Sequence, residues 1–402
     1  MQRVWTYLFT IVLLTTISSC SQQTGQKTNE SILYNNISKN NITQSNIVHR
    51  PSSSLGEKNA DTAFLYTTKV YKNVGDFAEL SIQEIAAKKG GIERKSSEYH
   101  TANYASPQDI SSSTRLIRVV FDNDIFNNTD YYYTNGVVID LIVPTAKLSP
   151  LSKLLLGFKG ADIDLFGFSI KQNIYTPTNP DIAEISVGDR PFSAFLSIGQ
   201  IRESYNVKNN FSIKSGLNFG VLGPASMGSV VQSSIHNIEP IGWNNQINNN
   251  VVIDYSIEIE KGIVSSPHFE FNVTGGGNIG TIFNKIKGGV YLRAGNFTPV
   301  IRGLFSNSGS TSNKSALQYW FFVSGNTNVV FYDATLQGGL FSKTNSYTIQ
   351  DKDINRLVLN LSVGFALYYK NVGLEMQNFY LSPEFKNAYD FRWGRIKLIF
   401  KI

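Results

Sequence analysis

The chain has 402 residues and a formal net charge of +6, and 12% of its residues are aromatic while only 16% are charged. One Cys excludes an internal disulfide, and four His leave little material for a Cys- or His-based metal cluster, so a zinc enzyme is not expected. The mild positive charge argues against nucleic-acid binding, and 32 Gly among many aromatics favour β-strands over long helices.

The first nineteen residues have the organisation of a signal peptide. Arg3 precedes an apolar run over residues 4–17, and the small residues Ser18 and Ser19 lead to Cys20. The sequence before Cys20 also resembles a bacterial lipobox, in which the Cys becomes the lipidated first residue of the mature protein. We therefore predict export, with a signal peptide over residues 1–19 and either ordinary cleavage or acylation at Cys20.

Two further segments precede the main domain. Residues 20–60 are rich in Asn, Ser, Thr, Gln and Lys, and they hold too little apolar surface to offset the entropy of the chain, so a disordered linker is predicted. Residues 61–111 form an N-terminal extension whose role the sequence does not indicate. Within it, the spacing of apolar residues between Phe77 and Lys89 predicts one short helix that stops at Gly90.

Residues 112–402 are predicted to form a β-barrel in a membrane. Beyond the signal peptide no run approaches the ~20 apolar residues of a transmembrane helix, so any membrane span must be a strand. The odd positions from Leu357 to Tyr369 are apolar, and the even positions include Asn360 and Ser362. A soluble sandwich would alternate similarly, but many runs reach the ~9–11 residues of a tilted membrane strand.

Twelve alternating runs give the predicted strand count, and an even number is expected of a closed bacterial barrel. They begin near residues 115, 131, 161, 190, 209, 248, 266, 284, 316, 357, 372 and 389. The apolar phase slips near Gly394, which predicts a β-bulge there. The predicted fold class is all-β, a transmembrane antiparallel barrel of about 12 strands with a mostly disordered N-terminal extension.

The connection after the first predicted strand, residues 122–130, is rich in oxygen ligands. Carboxylate and amide oxygens at this density suit a hard cation such as Ca²⁺, although Phe126 breaks the helix-loop-helix calcium pattern. A polar hairpin turn with Asn135-Gly136 at its corner would explain the same composition.

Two later connections also carry unusual residues. Asp189-Arg190 follows the third strand and is interpreted as a pair that braces the rim. His236 follows the fifth strand, and its imidazole beside a hard cation would make a sound general base, although an isolated loop His usually has no catalytic role. The glycine-rich match at residues 275–280 lacks a following helix pattern, so dinucleotide binding is not expected.

These motifs together resemble the lipid A 3-O-deacylase family of outer-membrane barrels, in order and spacing across most of residues 115–402. The motifs that carry the resemblance are Phe121-Asp122-Asn123-Asp124, Asp130, Tyr133-Thr134-Asn135-Gly136, Tyr175-Thr176-Pro177, Asp189-Arg190-Pro191-Phe192, Gly223-Pro224, Gln232 with His236, Gly242-Trp243-Asn244-Asn245-Gln246 and Thr335-Leu336-Gln337-Gly338.

The resemblance implies a protein of the bacterial outer membrane that hydrolyses the ester at the 3′ position of lipid A with Ca²⁺ as cofactor. The implied catalytic residues are His236, Asn123, Thr134, Gln232 and Glu239. The implied metal ligands are Asp124 and Asn123. The implied partners are lipid A or lipopolysaccharide, outer-membrane lipids and the barrel-assembly machinery, and no nucleic acid.

Three departures from the family pattern keep alternatives open, and one of them is the additional N-terminal region, residues 21–111, which follows the candidate lipidation site Cys20. The stretch from Thr178 to Val187 holds no Lys or Arg, where the characterised family enzyme has a basic pair, and the segment between His236 and Trp243 is shorter. A non-catalytic barrel that binds lipopolysaccharide or forms a pore is one alternative. An outer-membrane phospholipase is the other, because the same base and cation could attack a glycerophospholipid ester.

Overall fold

The computed structural model describes residues 113–127, 131–236, 241–298, 317–342 and 344–402. The predicted signal peptide, linker and extension, with the short helix expected in the extension, lie outside the described residues. Within the described part, neither α-helix is long and apolar enough to cross a membrane.

The described residues contain twelve strands, which pair antiparallel in chain order, and β12 closes onto β1 to complete the barrel. The strands are β1 (Leu116–Asn123), β2 (Tyr132–Ile142), β3 (Ile163–Thr176), β4 (Ser193–Asn206), β5 (Phe211–Leu222), β6 (Asn250–Ser265), β7 (Phe269–Gly280), β8 (Phe283–Asn296), β9 (Gln318–Asp333), β10 (Leu357–Tyr369), β11 (Val372–Leu381) and β12 (Phe391–Lys401). The predicted fold class is confirmed, and each predicted start lies within three residues of the observed one.

Short helices occupy the connections. They are α1 (Gly228–His236), α2 (Ala334–Gln337) and the 3-10 turns Asp124–Asn127, Pro144–Leu148, Pro150–Leu154, Pro224–Ser226, Ile241–Asn245 and Asp351–Asp353. We call the end of the barrel where β1 begins and β12 ends the terminal end, and the opposite end the distal end. Both α-helices lie in distal connections.

Alternation along each strand separates a lipid-facing surface from the lumen. On β10 the residues Leu357, Leu359, Leu361 and Val363 are exposed, as the odd-position pattern predicts. The lumen is polar in its middle, where Arg118 pairs with Asp140 at 3.0 Å and Arg395 pairs with Asp122 at 2.6 Å. An apolar outer surface around a polar interior is the arrangement of an outer-membrane barrel.

Aromatic clusters fill the lumen towards both ends. At the distal end the rings of Phe379 and Trp393 stack with centroids 4.6 Å apart, and at the terminal end those of Trp320 and Tyr368 stack at 5.0 Å. Between the clusters lie two cavities of about 330 and 390 Å³, and Arg395 lines both of them. The interior is therefore largely filled by side chains.

The bulge predicted near Gly394 is wrong. β12 pairs without a register shift with both β1 and β11. Phe391 and Trp393 are buried with the distal aromatic cluster, while the lumen position that follows is Arg395. The lumen-facing residues of β12 are aromatic near the distal end and charged further down. The apolar pattern therefore shifts without an inserted residue.

The Arg293–Glu270 pair tests how much the buried charges of the lumen stabilise the barrel. Arg293 Nε lies 2.7 Å from Glu270 Oε2, and both side chains are 0% exposed. We expect Glu270→Gln to lower the free energy of unfolding by about 3–5 kcal/mol, because it leaves a buried guanidinium without its counter-charge.

The control for this prediction is Glu258→Gln, which breaks the pair with Lys287 at a carboxylate that is 56% exposed. That change should cost no more than about 1 kcal/mol. The midpoint of the heat-induced mobility shift measures both variants, and equal midpoints would contradict the argument from burial.

Candidate functional site

The last two residues of β1 are polar and face opposite sides of the barrel wall. Asp122 faces the lumen, where it accepts hydrogen bonds from Arg395 Nε at 2.6 Å and from the Tyr133 hydroxyl at 2.9 Å. Asn123 is the next residue, so alternation places it on the outer face, directly opposite Asn135 of β2. Asn135 is buried, so other parts of the chain cover the outer wall at this point.

Asp124 follows at the start of the 3-10 turn and is only 4% exposed. Its Oδ2 atom accepts a hydrogen bond from the backbone N–H of Tyr131 at 3.1 Å. The carboxylate therefore ties together the two ends of the β1–β2 connection. It also places an anionic group one residue beyond the outer-face amide of Asn123.

A β-bulge at Thr134 changes which residues of β2 face the lumen and which face outwards. Tyr133 pairs with Tyr175 and Asn135 pairs with Ile174, so Thr134 is an extra residue in this strand. Its buried hydroxyl donates to the backbone carbonyl of Ile174 at 3.4 Å. The alternative interpretation of Asn135-Gly136 as a hairpin corner is wrong, because both residues lie inside β2.

Helix α1 lies against the outer wall of the barrel. Gln172 of β3 donates from Nε2 to the carbonyl of Ser226, just before the helix, at 2.6 Å. Val231 of the helix packs against a buried cluster of Ile174, Phe192, Ala194 and Trp243. The strand positions in this cluster share the outer face with exposed residues further down the same strands, such as Ile170 and Ile198.

The α1 cluster reaches the predicted site residues of β2 through Ile174. Ile174 belongs to the cluster, pairs with Asn135 and accepts the hydrogen bond from Thr134. Gln232 of α1 is buried, whereas Ser234 of the same helix is exposed. The structure thus brings Asn123, Thr134 and Gln232 to the distal end of the outer wall.

Of the other two predicted site residues, His236 is described by its backbone alone and Glu239 is not described. His236 is the last residue of α1, four positions after Gln232, which is the spacing of one helix face. Glu239 lies in residues 237–240, outside the described residues. The position of His236 on the helix therefore comes from the backbone alone.

The Asp189-Arg190 motif lies apart from these site residues, in the lumen at the distal end. Arg190 is buried, lies 4.3 Å from the centre of the Tyr175 ring and donates to Thr335 Oγ1 at 2.8 Å and to Glu384. Burial acts to lower the pKa of Arg190, but the interactions with Glu384, Asp333 and Tyr175 together outweigh burial and leave this pKa above its usual value. The Asp189 carboxylate accepts instead from the backbone N–H of Thr178 at 2.8 Å, so the two charges of the motif brace the rim through separate partners and the interpretation as a pair is wrong.

Sequence reasoning missed the supporting residues of the site. Asn135 and Gln172 are not among the predicted site residues, although Asn135 lies opposite Asn123 and Gln172 holds the start of α1. The indole Nε1 of Trp243 and Oε1 of Gln246 are buried without a hydrogen-bond partner. These residues become neighbours only through the pairing of strands that are far apart in the sequence. The alternation within one strand does not show that pairing.

The oxygen atoms near the end of β1 fit a hard cation. The Asp124 carboxylate is anionic and buried, and Asn123 and Thr134 add an amide and a hydroxyl oxygen nearby in the chain and the sheet. The residues that the structure describes contain no group of three or more His, Cys, Asp or Glu that could hold a metal. A cation at Asp124 would therefore take its remaining ligands from neutral oxygens, which Ca²⁺ accepts.

Comparison with known proteins gives a family and a fold. Residues 96–402 match the family described as "Outer membrane protein LpxR". The structure is similar to LpxR from Salmonella typhimurium, at 23% sequence identity and a TM-score of 0.56, over 71% of this chain and 100% of that one. No curated protein matches the sequence.

Other barrels are similar at lower scores. The β domain of the Bordetella autotransporter BrkA gives a TM-score of 0.36 at 8% identity over 72% of this chain and 98% of that one. The translocator domain of NalP from Neisseria meningitidis gives 0.34 at 9% identity over 82% and 97%. Likeness at this level says nothing further about this chain.

A substitution at Gly228 tests whether α1 must lie tightly against the wall. A Cβ atom at Gly228 would lie 2.3 Å from the Cβ of Ala194. Gly228→Val should therefore displace the helix at a cost of about 1–3 kcal/mol, even though Val has the higher helix propensity. Faster amide hydrogen exchange over residues 228–236, with unchanged exchange in β3 and β4, is the expected result.

Ser234→Val is the matched control, because Ser234 is exposed on the same helix. It should leave exchange in α1 close to that of the unsubstituted protein. Equal exchange in the two variants would contradict the close packing of α1.

Proposed function

This chain belongs to the family of the outer membrane protein LpxR and resides in the bacterial outer membrane, and on that premise we propose that it is a lipid A deacylase. The proposed reaction is the Ca²⁺-dependent hydrolysis of the ester that holds the acyl chain at the 3′ position of lipid A. The observation that carries the proposal is the set of polar residues at the distal end of the outer wall, where half-buried Asn123 lies opposite Asn135 next to buried Thr134, and buried Gln232 lies on the helix that packs against the same wall.

The side of the wall on which these residues lie supports a lipid as substrate. A lipid of the surrounding leaflet reaches the barrel from the side, and its ester can approach the half-buried Asn123 without leaving the membrane. Polar groups on a lipid-facing wall are costly unless they are covered or used. Helix α1 packs against the outer wall beside these residues, through Val231 and the cluster that contains Ile174, so a substrate ester would lie next to the helix.

The chain's own residues can supply the proton transfer and the positioning. In the proposed reaction the His236 imidazole takes a proton from water, the water oxygen bonds to the ester carbonyl carbon, and the bond to the sugar oxygen breaks. The proton then passes to that sugar oxygen, which leaves as a hydroxyl while the fatty acid departs. The side chain of Asn123 donates to the oxyanion that forms between these steps, and the Thr134 hydroxyl donates to it in exchange for its hydrogen bond to the Ile174 carbonyl.

Asp124 and Asn123 are the proposed ligands for Ca²⁺. When bound, the cation supplies positive charge that polarises the ester carbonyl. Asp124 contributes a buried carboxylate that the Tyr131 N–H holds in place. The same carboxylate without a cation would be a buried anion close to a developing negative charge, which is unfavourable for the reaction.

Two alternatives to a lipid A deacylase are a pore and a phospholipase. A pore is less well supported, because aromatic clusters and ion pairs fill the described lumen. A phospholipase remains a second candidate, because the stretch from Thr178 to Val187 carries Asp181 and Glu184 and no Lys or Arg that could meet the phosphates of lipid A. Mass spectrometry of lipid A and of phospholipids from cells with and without the gene distinguishes these activities.

The base is tested by His236→Ala. We expect the release of 3′-linked acyl chains to fall by about 10²–10⁴-fold while the heat-modifiable barrel still forms, because one loop imidazole carries the proton transfer. The measurement is the ratio of deacylated to intact lipid A by mass spectrometry.

The matched control is His268→Ala, at an exposed His near the terminal end whose Nδ1 contacts the Gly295 carbonyl at 2.9 Å. It should retain full activity. Near-normal hydrolysis by His236→Ala would remove His236 from the mechanism.

The cation is tested by chelation and by Asp124→Asn. Excess EGTA should abolish hydrolysis and added Ca²⁺ should restore it. Asp124→Asn should reduce activity by at least about 100-fold and raise the Ca²⁺ concentration needed for half-maximal activity, because it removes the anionic ligand.

Asp353→Asn removes a distal carboxylate that pairs with Lys386 at 3.0 Å and serves as the control. It should leave the Ca²⁺ dependence unchanged. Full activity of the unsubstituted protein in EGTA would disprove the metal requirement.

A further inference from the structure

The connection between β2 and β3 folds back over the outer wall at the terminal end. It spans residues 143–162 and contains two consecutive 3-10 turns, and we call it the cover segment. Gln200 of β4 donates to the carbonyl of Ala146 at 2.6 Å, and the Tyr255 hydroxyl of β6 donates to the carbonyl of Leu154 at 3.1 Å. Gln200 shares its face with exposed Ile198, so these contacts are on the outer side of the barrel.

The wall beneath the cover segment is polar. Arg202 of β4 forms a bidentate pair with Asp164 of β3, at 2.8 Å and 3.0 Å, and also donates to the carbonyl of Leu155 at 3.0 Å. A charged pair on the lipid-facing side would be unfavourable in hydrocarbon. The cover segment therefore separates this pair from the acyl chains.

The exposed side chains of the cover segment are apolar and basic. Leu148 is 84% exposed, and Leu154 and Leu156 are also exposed. The basic residues are Lys147, Lys153 and Lys159, all of them exposed. Exposed leucines interleaved with lysines are typical of segments that lie in the interface of a membrane, with apolar groups among acyl chains and amines near phosphates.

An open cavity of about 860 Å³ lies between the cover segment and the wall. All three lysines line it, together with Arg202 and Phe166. The two carboxylates at the cavity are already engaged, since Asp162 accepts from the backbone N–H of Val207 at 2.7 Å and Asp164 pairs with Arg202.

The charge balance of the cavity is therefore positive. Within the described residues Lys147, Lys153 and Lys159 form no ion pair, and the nearest aromatic contact is that of Lys147 Nζ, 5.9 Å from the centre of the Phe166 ring. A cavity of this size accepts a headgroup, and three free ammonium groups at its mouth suit a phosphate.

We propose that the cover segment and the wall form a binding site for the phosphate headgroup of an anionic glycerophospholipid in the leaflet at the terminal end. The headgroup lies in the cavity beside the three lysines, and the acyl chains lie along Leu148, Leu154 and Leu156. This site is at the other end of the barrel from α1, so it is independent of the proposed hydrolysis.

Native mass spectrometry of the full chain in detergent, titrated with phosphatidylglycerol, tests the proposal. The charge-removing variant is Lys147→Gln/Lys153→Gln/Lys159→Gln, and the charge-preserving variant carries Arg at the same three positions. The matched control is Lys208→Gln/Lys261→Gln/Lys370→Gln, which removes three exposed lysines at the same end of the barrel. Heat-modifiable mobility reports folding of every variant.

We expect one tightly retained phosphatidylglycerol, an affinity at least about tenfold lower in the charge-removing variant, and little change in the Arg variant or the control. Phosphatidylethanolamine should bind more weakly, and millimolar inorganic phosphate should not displace the lipid.

Four results would overturn the proposal. They are no retained lipid, an equal loss in the control, equal binding of the zwitterionic lipid, and displacement of the lipid by inorganic phosphate. The last of these would indicate a site for free phosphate.

Discussion

The pairing of β12 with β1 is the constraint on which the other features depend. Closure gives every strand a hydrogen-bonded neighbour on both sides, which is what allows strands to cross hydrocarbon. It also leaves each side chain only two directions, towards the lumen or towards lipid. Each polar side chain described above therefore faces either the lumen, as Asp122 does, or the outer side, as Asn123 does.

The bulge at Thr134 shows how one extra residue changes that choice. It keeps Tyr133 with the lumenal Tyr175 and still places Asn135 on the outside, opposite Asn123. Without the extra residue, Tyr133 and Asn135 would face the same side. Either the Tyr133 ring would leave the lumen or the Asn135 amide would leave the outer wall. The same short stretch of β2 therefore serves both the packing of the barrel and the candidate site.

The sequence predicts the strands well and the site only in part, for a physical reason. Alternation is local, so the run from Leu357 to Tyr369 is visible without knowledge of its neighbours. The change of phase at Gly394 was misread because the lumen is aromatic at Trp393 and charged at Arg395, which depends on depth in the barrel. The roles of Asn135 and Gln172 depend on register across the sheet, which no single strand encodes.

The location of α1 on the outside of the barrel has a kinetic consequence. A molecule that reaches this helix travels within the plane of the leaflet, so its encounter rate depends on its mole fraction among neighbouring lipids and not on its concentration in bulk water. If the proposed hydrolysis takes place there, diluting the membrane with inert lipid or detergent at constant total substrate slows turnover. Rates measured in micelles and in native membranes become comparable only when they are expressed per unit of surface.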